Sequence, residues 1–322
     1  ARFYGYNNIP CTLMRGQTTS GGYSDAQQAE RSIGAMARAL GYSEIITYSF
    51  ISPSYYDKIR LPADSPLRDS MKILNPLGED TSIMRTTVLP SMLEILTRNY
   101  NYRNKAVRLY EIGKVYFARP DGMADEPKLL CLGGYGGMDF FQLKGAVERI
   151  LTGLRITDVT FEAEHDNPSY HPGRCAKVYA GGRLLGVLGQ IHPLVAANYG
   201  VDTELYTAEL QLGEMLAGRG ATPVYTPLPR FPAVTRDIAI VCSADIPVAQ
   251  LSQCILAAGG QYLKGCELFD VYTGAPIPAG YKSVAFSLTL RADDQTLTDD
   301  HAEETMRSVL NALEQTFHAT IR

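Results

Sequence analysis

Between Arg236 and Cys242, apolar Ile238, Ile240 and Cys242 alternate with Asp237, Ala239 and Val241, the period of a strand with two unlike faces. Pro247 suits the first turn of a helix whose Val248, Leu251, Ile255 and Ala258 follow at helical spacing, until Gly259-Gly260 stops it. Cys266–Tyr272 is a strand that turns through Gly274–Gly280 into a second, Lys282–Arg291. In the latter, Val284, Phe286, Leu288 and Leu290 face one way, while Ser283, Ala285, Ser287, Thr289 and Arg291 face the other. Thr298 is placed to N-cap a helix, with Asp299 and Asp300 in its first turn and an apolar stripe from Ala302 through Met306, Val309, Leu310 and Leu313 to Phe317. His318–Arg322 closes the series as a strand. The order is βαββαβ, with both helices on one face of a four-stranded antiparallel sheet and the other face open.

The longer part before it is also mixed. Ser24 with Gln27 has the spacing of a capping box, opening a helix lined by Ile33, Met36, Ala37 and Leu40 and ended by Gly41. A strand at Glu44–Ile51 follows. A helix opens in Met84–Ser91 and runs to Tyr102, then come a strand at Arg108–Tyr116, a helix at Phe140–Glu148, and a hairpin turning at Gly181-Gly182 after His171–Ala176. Gly186–Pro193 enters another helix. The fold class expected is α+β, with an antiparallel sheet module followed by the βαββαβ domain.

Composition changes this picture in three ways. No apolar run approaches bilayer length, and no basic-then-apolar leader is seen, so a soluble chain without a membrane role is expected. The 6 cysteines form no Cys-x-x-Cys pair and several sit in apolar patterns, which favours buried thiols in a reducing cytoplasm; pairing among Cys242, Cys254 and Cys266 stays open. The net charge of −4 argues against a general polyanion binder, DNA included. From position 229 onward seven basic residues stand against eleven acids, so this last stretch matches the whole deficit. The acids gather between Asp293 and Glu304, which leaves the open sheet free for other chemistry.

Several other constellations carry little chemistry. His165, His171 and His192 with Cys175 match no tetrahedral metal spacing, and no metal ligand set is expected. Ser169 and His171 lack an acid orienter and a nucleophile elbow. Gly133-Gly-Tyr-Gly-Gly137 is followed by no Lys-Ser/Thr, so a loop is favoured over a phosphate cradle.

The wording of the C-terminal stretch is specific. Arg230-Phe-Pro-Ala-Val-Thr-Arg-Asp237, Leu268-Phe-Asp-Val-Tyr-Thr-Gly274, Gly280-Tyr-Lys-Ser283 and Gln295-Thr-Leu-Thr298 together resemble the ferredoxin-fold anticodon-binding domain of the bacterial phenylalanyl-tRNA synthetase β subunit. The earlier phrases resemble the catalytic-like module of the same subunit, a class II synthetase core: Asn75-Pro-Leu-Gly78, Met84-Arg-Thr-Thr-Val-Leu-Pro-Ser91, Arg108-Leu-Tyr-Glu-Ile-Gly-Lys-Val-Tyr116, His171-Pro-Gly-Arg-Cys-Ala176 and Gly186–Pro193. Ala1–Pro10 resembles the end of the domain that precedes this module, without the acidic residues the family associates with magnesium. The division expected is 1–20 as the end of that domain and a linker, 21–217 as the catalytic-like module, 218–228 as a linker, and 229–322 as the anticodon-binding domain. Between Gly133 and Asp139 the family has a longer loop.

The resemblance implies a part of the β subunit that scaffolds an α subunit in an (αβ)2 assembly and binds the anticodon of tRNA-Phe, while the parent enzyme uses ATP and magnesium. It implies no catalysis by this part and no cofactor in it. A class II core grips ATP with arginines whose charge offsets the phosphates. Here the strand pair around Asn99–Tyr116 keeps Arg103, Arg108 and Glu111 but is expected to have a short loop, Asn104–Ala106. Met215 stands where the second arginine is required, and a thioether cannot pair with phosphate. Arg85 and Arg174 resemble family positions and are expected to brace the core or an interface. No catalytic residue is assigned. For RNA contact, a sheet face with small side chains flanked by cations and aromatics suits single-stranded bases. The candidates that could reach are Arg230, Phe231, Arg236, Lys282, Ser283 and Arg291, with Arg291 and Arg236 expected on or beside the open sheet. Two alternatives remain: a free-standing class II-like enzyme, and an interaction module whose last domain contacts protein rather than RNA.

Overall fold

The computed structural model describes residues 1–18 and 20–322, which divide into two compact units, Ala1–Thr222 and Pro223–Arg322. Before its first long helix the chain is exposed, with one short 3-10 turn at Tyr6–Asn8.

In the first unit the elements run α1 (Asp25–Ala39), β1 (Ser43–Glu44), β2 (Phe50–Ile51), α2 (Ser54–Lys58), β3 (Ile83–Met84), α3 (Leu89–Asn101) and β4 (Val107–Lys114). Then come β5 (Phe117–Ala118), β6 (Ala124–Asp125), β7 (Lys128–Tyr135), α4 (Phe140–Gly153), β8 (Val159–Ala163), β9 (Tyr170–Ala180), β10 (Arg183–Ile191), α5 (Pro193–Asn198), β11 (Tyr206–Gln211) and α6 (Leu212–Ala217). A seven-stranded sheet in the order β1-β4-β7-β11-β10-β9-β8 is antiparallel except for β1 against β4.

The central strands are buried on both faces, so β7 has the continuous apolar run Leu129-Leu-Cys-Leu132 instead of an alternation. Leu130 and Leu132 join one core, under α1 and α4, with Ile33, Ala37, Leu143 and Val147. Leu129 and Cys131 join the other, under α3, with Met92, Leu93 and Leu96. The glycine cluster serves this packing. A Cβ on Gly133 would meet Met92 Sδ at 2.6 Å, and Gly136 and Gly137, with φ of 73° and 70°, turn the chain towards Asp139, the N-cap of α4.

Two expected elements differ. One strand is expected over Glu44–Ile51, yet only its two ends pair, in β1 and β2. Between them Ile45 N–H donates to the Tyr110 carbonyl at 2.9 Å and Thr47 is tied to Glu111, so the segment is held by side-chain bonds rather than by a ladder. The strand–loop–strand lies elsewhere than expected. Asn99–Asn101 is the end of α3, and β4 pairs with β7 across a longer excursion, residues 115–127, that carries the β5–β6 hairpin.

The second unit comprises β12 (Val234–Ser243), α7 (Val248–Ala258), β13 (Leu263–Tyr272), β14 (Tyr281–Leu290), α8 (Asp299–Phe317) and β15 (Thr320–Ile321). Its sheet order is β13-β14-β12-β15, antiparallel throughout. Ile238 opposes Phe286 and Ile240 opposes Val284, and this face is covered by Leu251 and Ile255 of α7 and by Val309 and Leu313 of α8. Phe286 is fully buried there, worth about 1.5–3 kcal/mol. β13 begins at Leu263, before Cys266, and a bulge at Lys264, between Leu263 and Gly265, breaks its alternation.

Candidate nucleic-acid interface

Strand register decides which side chains reach the helix-free face of the second unit. Val241 opposes Ser283, and Ser283 opposes Tyr272 on its other side; Thr320 lies next to Val241. Ala239 opposes Ala285, which opposes Asp270. Beyond Ile321, which pairs with Ile240, Arg322 N–H donates to the Ala239 carbonyl at 2.9 Å. Its guanidinium carbon stands 5.9 Å from the centroid of the Tyr272 ring, a cation–π contact made across the sheet from β15 to β13. Beneath that span Ser283 and Ala285 are only 4% and 7% exposed, although no helix covers them. Tyr272 is itself 40% exposed and its hydroxyl donates to the Ala275 carbonyl at 2.8 Å, which fixes the ring.

This end of the face therefore presents an aromatic ring, a carboxylate on Asp270 and a guanidinium on Arg322, with the Ser283 hydroxyl buried beneath them. Together they offer a stacking surface with an acceptor and donors for base edges.

The sequence-derived candidates do not converge. Ser283 belongs to the constellation just described. Arg291 lies eight residues further along β14, roughly 27 Å away at about 3.4 Å per residue, so the two cannot meet one base. Its main-chain N–H donates to the Tyr262 carbonyl, and its Nε is 3.9 Å from Asp293, which also pairs with Lys264 at 2.7 Å. The Lys264 ammonium and, behind it, Arg291 hold the Asp293 carboxyl below its ordinary range. Arg230 is exposed and Phe231 half-buried, both ahead of β12, whose first residue opposes Leu290 and so lies at the Arg291 end.

Arg236 is not on the open face. It opposes Leu288 and shares the parity of Ile238 and Ile240, and its Nη2 bonds Asp299 Oδ1 at 3.2 Å in the first turn of α8. Lys282 opposes Cys242 on the helix side as well; it is 9% exposed, and its Nζ donates to the carbonyls of Ala244 (3.0 Å) and Ile246 (2.5 Å), bracing the loop before α7. The parity that places Arg236 and Lys282 was present in the alternation. The Arg322–Tyr272 contact was not, because it depends on the pairing of four strands.

In the first unit a cleft of about 360 Å3 opens on the α3 side of the sheet, with Thr87, Leu129, Glu164, Lys177, Val187 and Glu209 among its lining. Lys177 is engaged by Glu164, and that ion pair depresses the Glu164 carboxyl. Glu209 accepts from Val88 N–H at 2.6 Å and from Thr87 Oγ1 at 2.8 Å, while burial pushes its carboxyl up. The one lysine of this lining is committed to a carboxylate, and the cleft offers no free cation to a phosphate among the residues named.

Arg85, 1% exposed, is spent elsewhere: it bonds Glu111 at 3.0 Å, Thr47 Oγ1 at 2.6 Å and the Lys114 carbonyl at 2.9 Å. Met215 is fully buried in the α1–α4 core. Arg174 bonds Gln190 at 2.7 Å and Glu204 at 2.9 Å. Among the described residues no three His, Cys, Asp or Glu side chains gather as metal ligands, and no helix is long and apolar enough to cross a membrane.

Comparison with known proteins agrees with this architecture. The family model described as "Phenylalanyl tRNA synthetase beta chain CLM domain" matches residues 9–212, and that described as "Ferredoxin-fold anticodon binding domain" matches 229–322. Phenylalanine--tRNA ligase beta subunits of Clostridium acetobutylicum and Moorella thermoacetica are 41% and 42% identical over 324 and 337 residues, each alignment covering 100% of this chain. The chain spans 41% and 42% of the length of those two relatives. A crystal structure of pyrrolysyl-tRNA synthetase from Desulfitobacterium hafniense superposes with a TM-score of 0.50 at 17% identity, over 60% of this chain and 68% of that one, a likeness of fold. On the two matched regions and a similarity that spans the whole of this chain, the chain belongs to the phenylalanyl-tRNA synthetase beta chain family.

Proposed function

We propose that this chain acts within a phenylalanine–tRNA ligase of the cytoplasm, binding the tRNA-Phe anticodon through its second unit and scaffolding a catalytic α subunit through its first. The chain itself performs no adenylation in this reading; ATP and magnesium are handled by the partner, in an (αβ)2 assembly. The observation that carries the RNA reading is the helix-free face on which Tyr272, Ser283, Asp270 and Arg322 converge. Stacking on one aromatic ring is worth about 1–3 kcal/mol per base, roughly 5- to 150-fold in affinity.

The test is binding of a tRNA-Phe anticodon stem-loop. Tyr272→Ala and Arg322→Ala are each expected to weaken it by at least about fivefold, whereas Arg236→Ala, on the helix side, leaves it unchanged. Equal binding by wild type and the first two variants would sink the assignment. One observation favours protein contact by the same unit: Leu268, Phe269 and Val271 are 43%, 59% and 44% exposed on β13, an edge strand. That reading predicts loss of stem-loop binding from none of the three variants.

A further inference from the structure

The small side chains of β14 form a trough down the middle of the helix-free face. Ser283, Ala285, Ser287 and Thr289 follow one another along it, and β13 and β12 are its two banks. Register places Glu267 on one bank and Asp237 on the other, both directly opposite Ser287. Directly opposed residues share a face of the sheet, so both carboxylates stand on the helix-free side, and both are exposed. The ion pairs of this unit among the described residues join Arg236 to Asp299 and both Lys264 and Arg291 to Asp293. Glu267 and Asp237 take no part in them.

The chemistry of the trough therefore changes within four residues. At Ser283 its bank carries the Tyr272 ring, with the Arg322 guanidinium against it. At Ser287, roughly 14 Å further at about 3.4 Å per residue, both banks carry a carboxylate. Asp270, opposite Ala285, stands in the row between. Neighbouring strands lie about 4.8 Å apart, so a phosphate over Ser287 would have a strand bearing a negative charge roughly 5 Å to either side. Like charges at that range repel, most strongly at low salt.

We propose that Glu267 and Asp237 determine specificity by repulsion: they close the trough to an RNA backbone and confine a bound strand to the Tyr272 end. This rests on the anticodon reading of the same face. Without the acid pair, a strand of any sequence could lie along the small side chains of β14, because phosphates carry no sequence information. Discrimination against such strands then comes from a like-charge penalty rather than from an added contact.

The test measures binding of the whole chain to a tRNA-Phe anticodon stem-loop and to poly(U), over a range of salt. Glu267→Gln with Asp237→Asn keeps both side-chain shapes and removes both charges. This double variant is expected to bind poly(U) about three- to tenfold more tightly at low salt, with the gain fading towards about 0.5 M. Its gain on the stem-loop is smaller, so the preference between the two RNAs narrows, and its Tm matches that of the wild type. Tighter binding is not what loss of a structural role produces. Glu303→Gln with Glu304→Gln removes two exposed charges from α8 and is expected to leave poly(U) binding unchanged. Unchanged poly(U) binding by the first double variant, an equal gain on both RNAs, or the same gain from the α8 pair overturns the proposal. Tyr272→Ala separates the two readings: stem-loop binding that survives it sinks the anticodon reading, while the poly(U) result judges the acid pair by itself.

Discussion

At the scale of single residues, Arg85 shows how a charge becomes structural. Its partners Glu111, Thr47 and Lys114 come from three separate segments, and both members of the ion pair are almost fully enclosed. Removing one leaves the other charged and unpaired inside the fold. Arg85→Met is expected to cost about 3–5 kcal/mol in urea unfolding, and Arg85→Met with Glu111→Leu to recover much of it. From the sequence that arginine is expected to brace the core or an interface, which the structure shows, but its partner was not legible, since nothing local links positions 85 and 111.

His192 offers a pH-dependent case. It N-caps α5 through Nδ1, which accepts from Leu194 N–H at 3.1 Å. Burial first, then the nearby Arg60 and His171 charges, pull its pKa below the ordinary 6.5. A lowered histidine pKa means the unfolded chain takes up the proton more readily. The contribution is present above the unfolded value and is lost as pH falls through the folded one. His192→Asn keeps a capping oxygen without a titrating ring, so wild-type Tm should fall more steeply than that of the variant between about pH 7 and pH 5.

At the scale of elements, α3 starts with Val88 as N-cap and no capping side chain of its own. Glu209 of β11 supplies the acceptor instead, from 121 residues away. Glu209→Ala leaves the Val88 amide and the Thr87 hydroxyl without their acceptor, and is expected to cost about 2–3 kcal/mol, read from the urea midpoint at constant m. Local caps such as Ser24 with Gln27 were legible, and the structure has that capping box; a cap lent by a distant strand leaves no mark at the helix it serves.

Strands show the same limit. β12 and β14 follow the alternation because each has one buried face, whereas the exposed Ile46 and Tyr48 between β1 and β2 have no ladder to enter. The open-face site was half legible: Ser283 was in hand, Arg236 and Lys282 were on the wrong side of their own parity, and Tyr272 with Arg322 needed the strand order.

For the whole molecule, the segment that left the ladder matters again. Ile46 and Tyr48 are 91% and 80% exposed, a large apolar display on a segment pinned by Thr47 to the buried ion pair. Such surface on a rigid base suits an obligate subunit contact. On the proposed scaffolding role, mixing the chain with an α subunit gives a species of heterotetramer mass, and Ile46→Asp with Tyr48→Asp leaves mostly the separate chains, as read by light scattering. The acids at Asp299 and Asp300 begin α8 on the helix side, so the surplus negative charge of the last domain need not face RNA. The ring of Tyr272 has a further consequence. In the proposed reading, the Arg322 guanidinium already rests against one face of that ring, so an incoming base would settle beside a charge held in place for it. A nucleotide that offers that cation an acceptor as well as a ring to stack on would be held at two points, and one that offers only the ring at one.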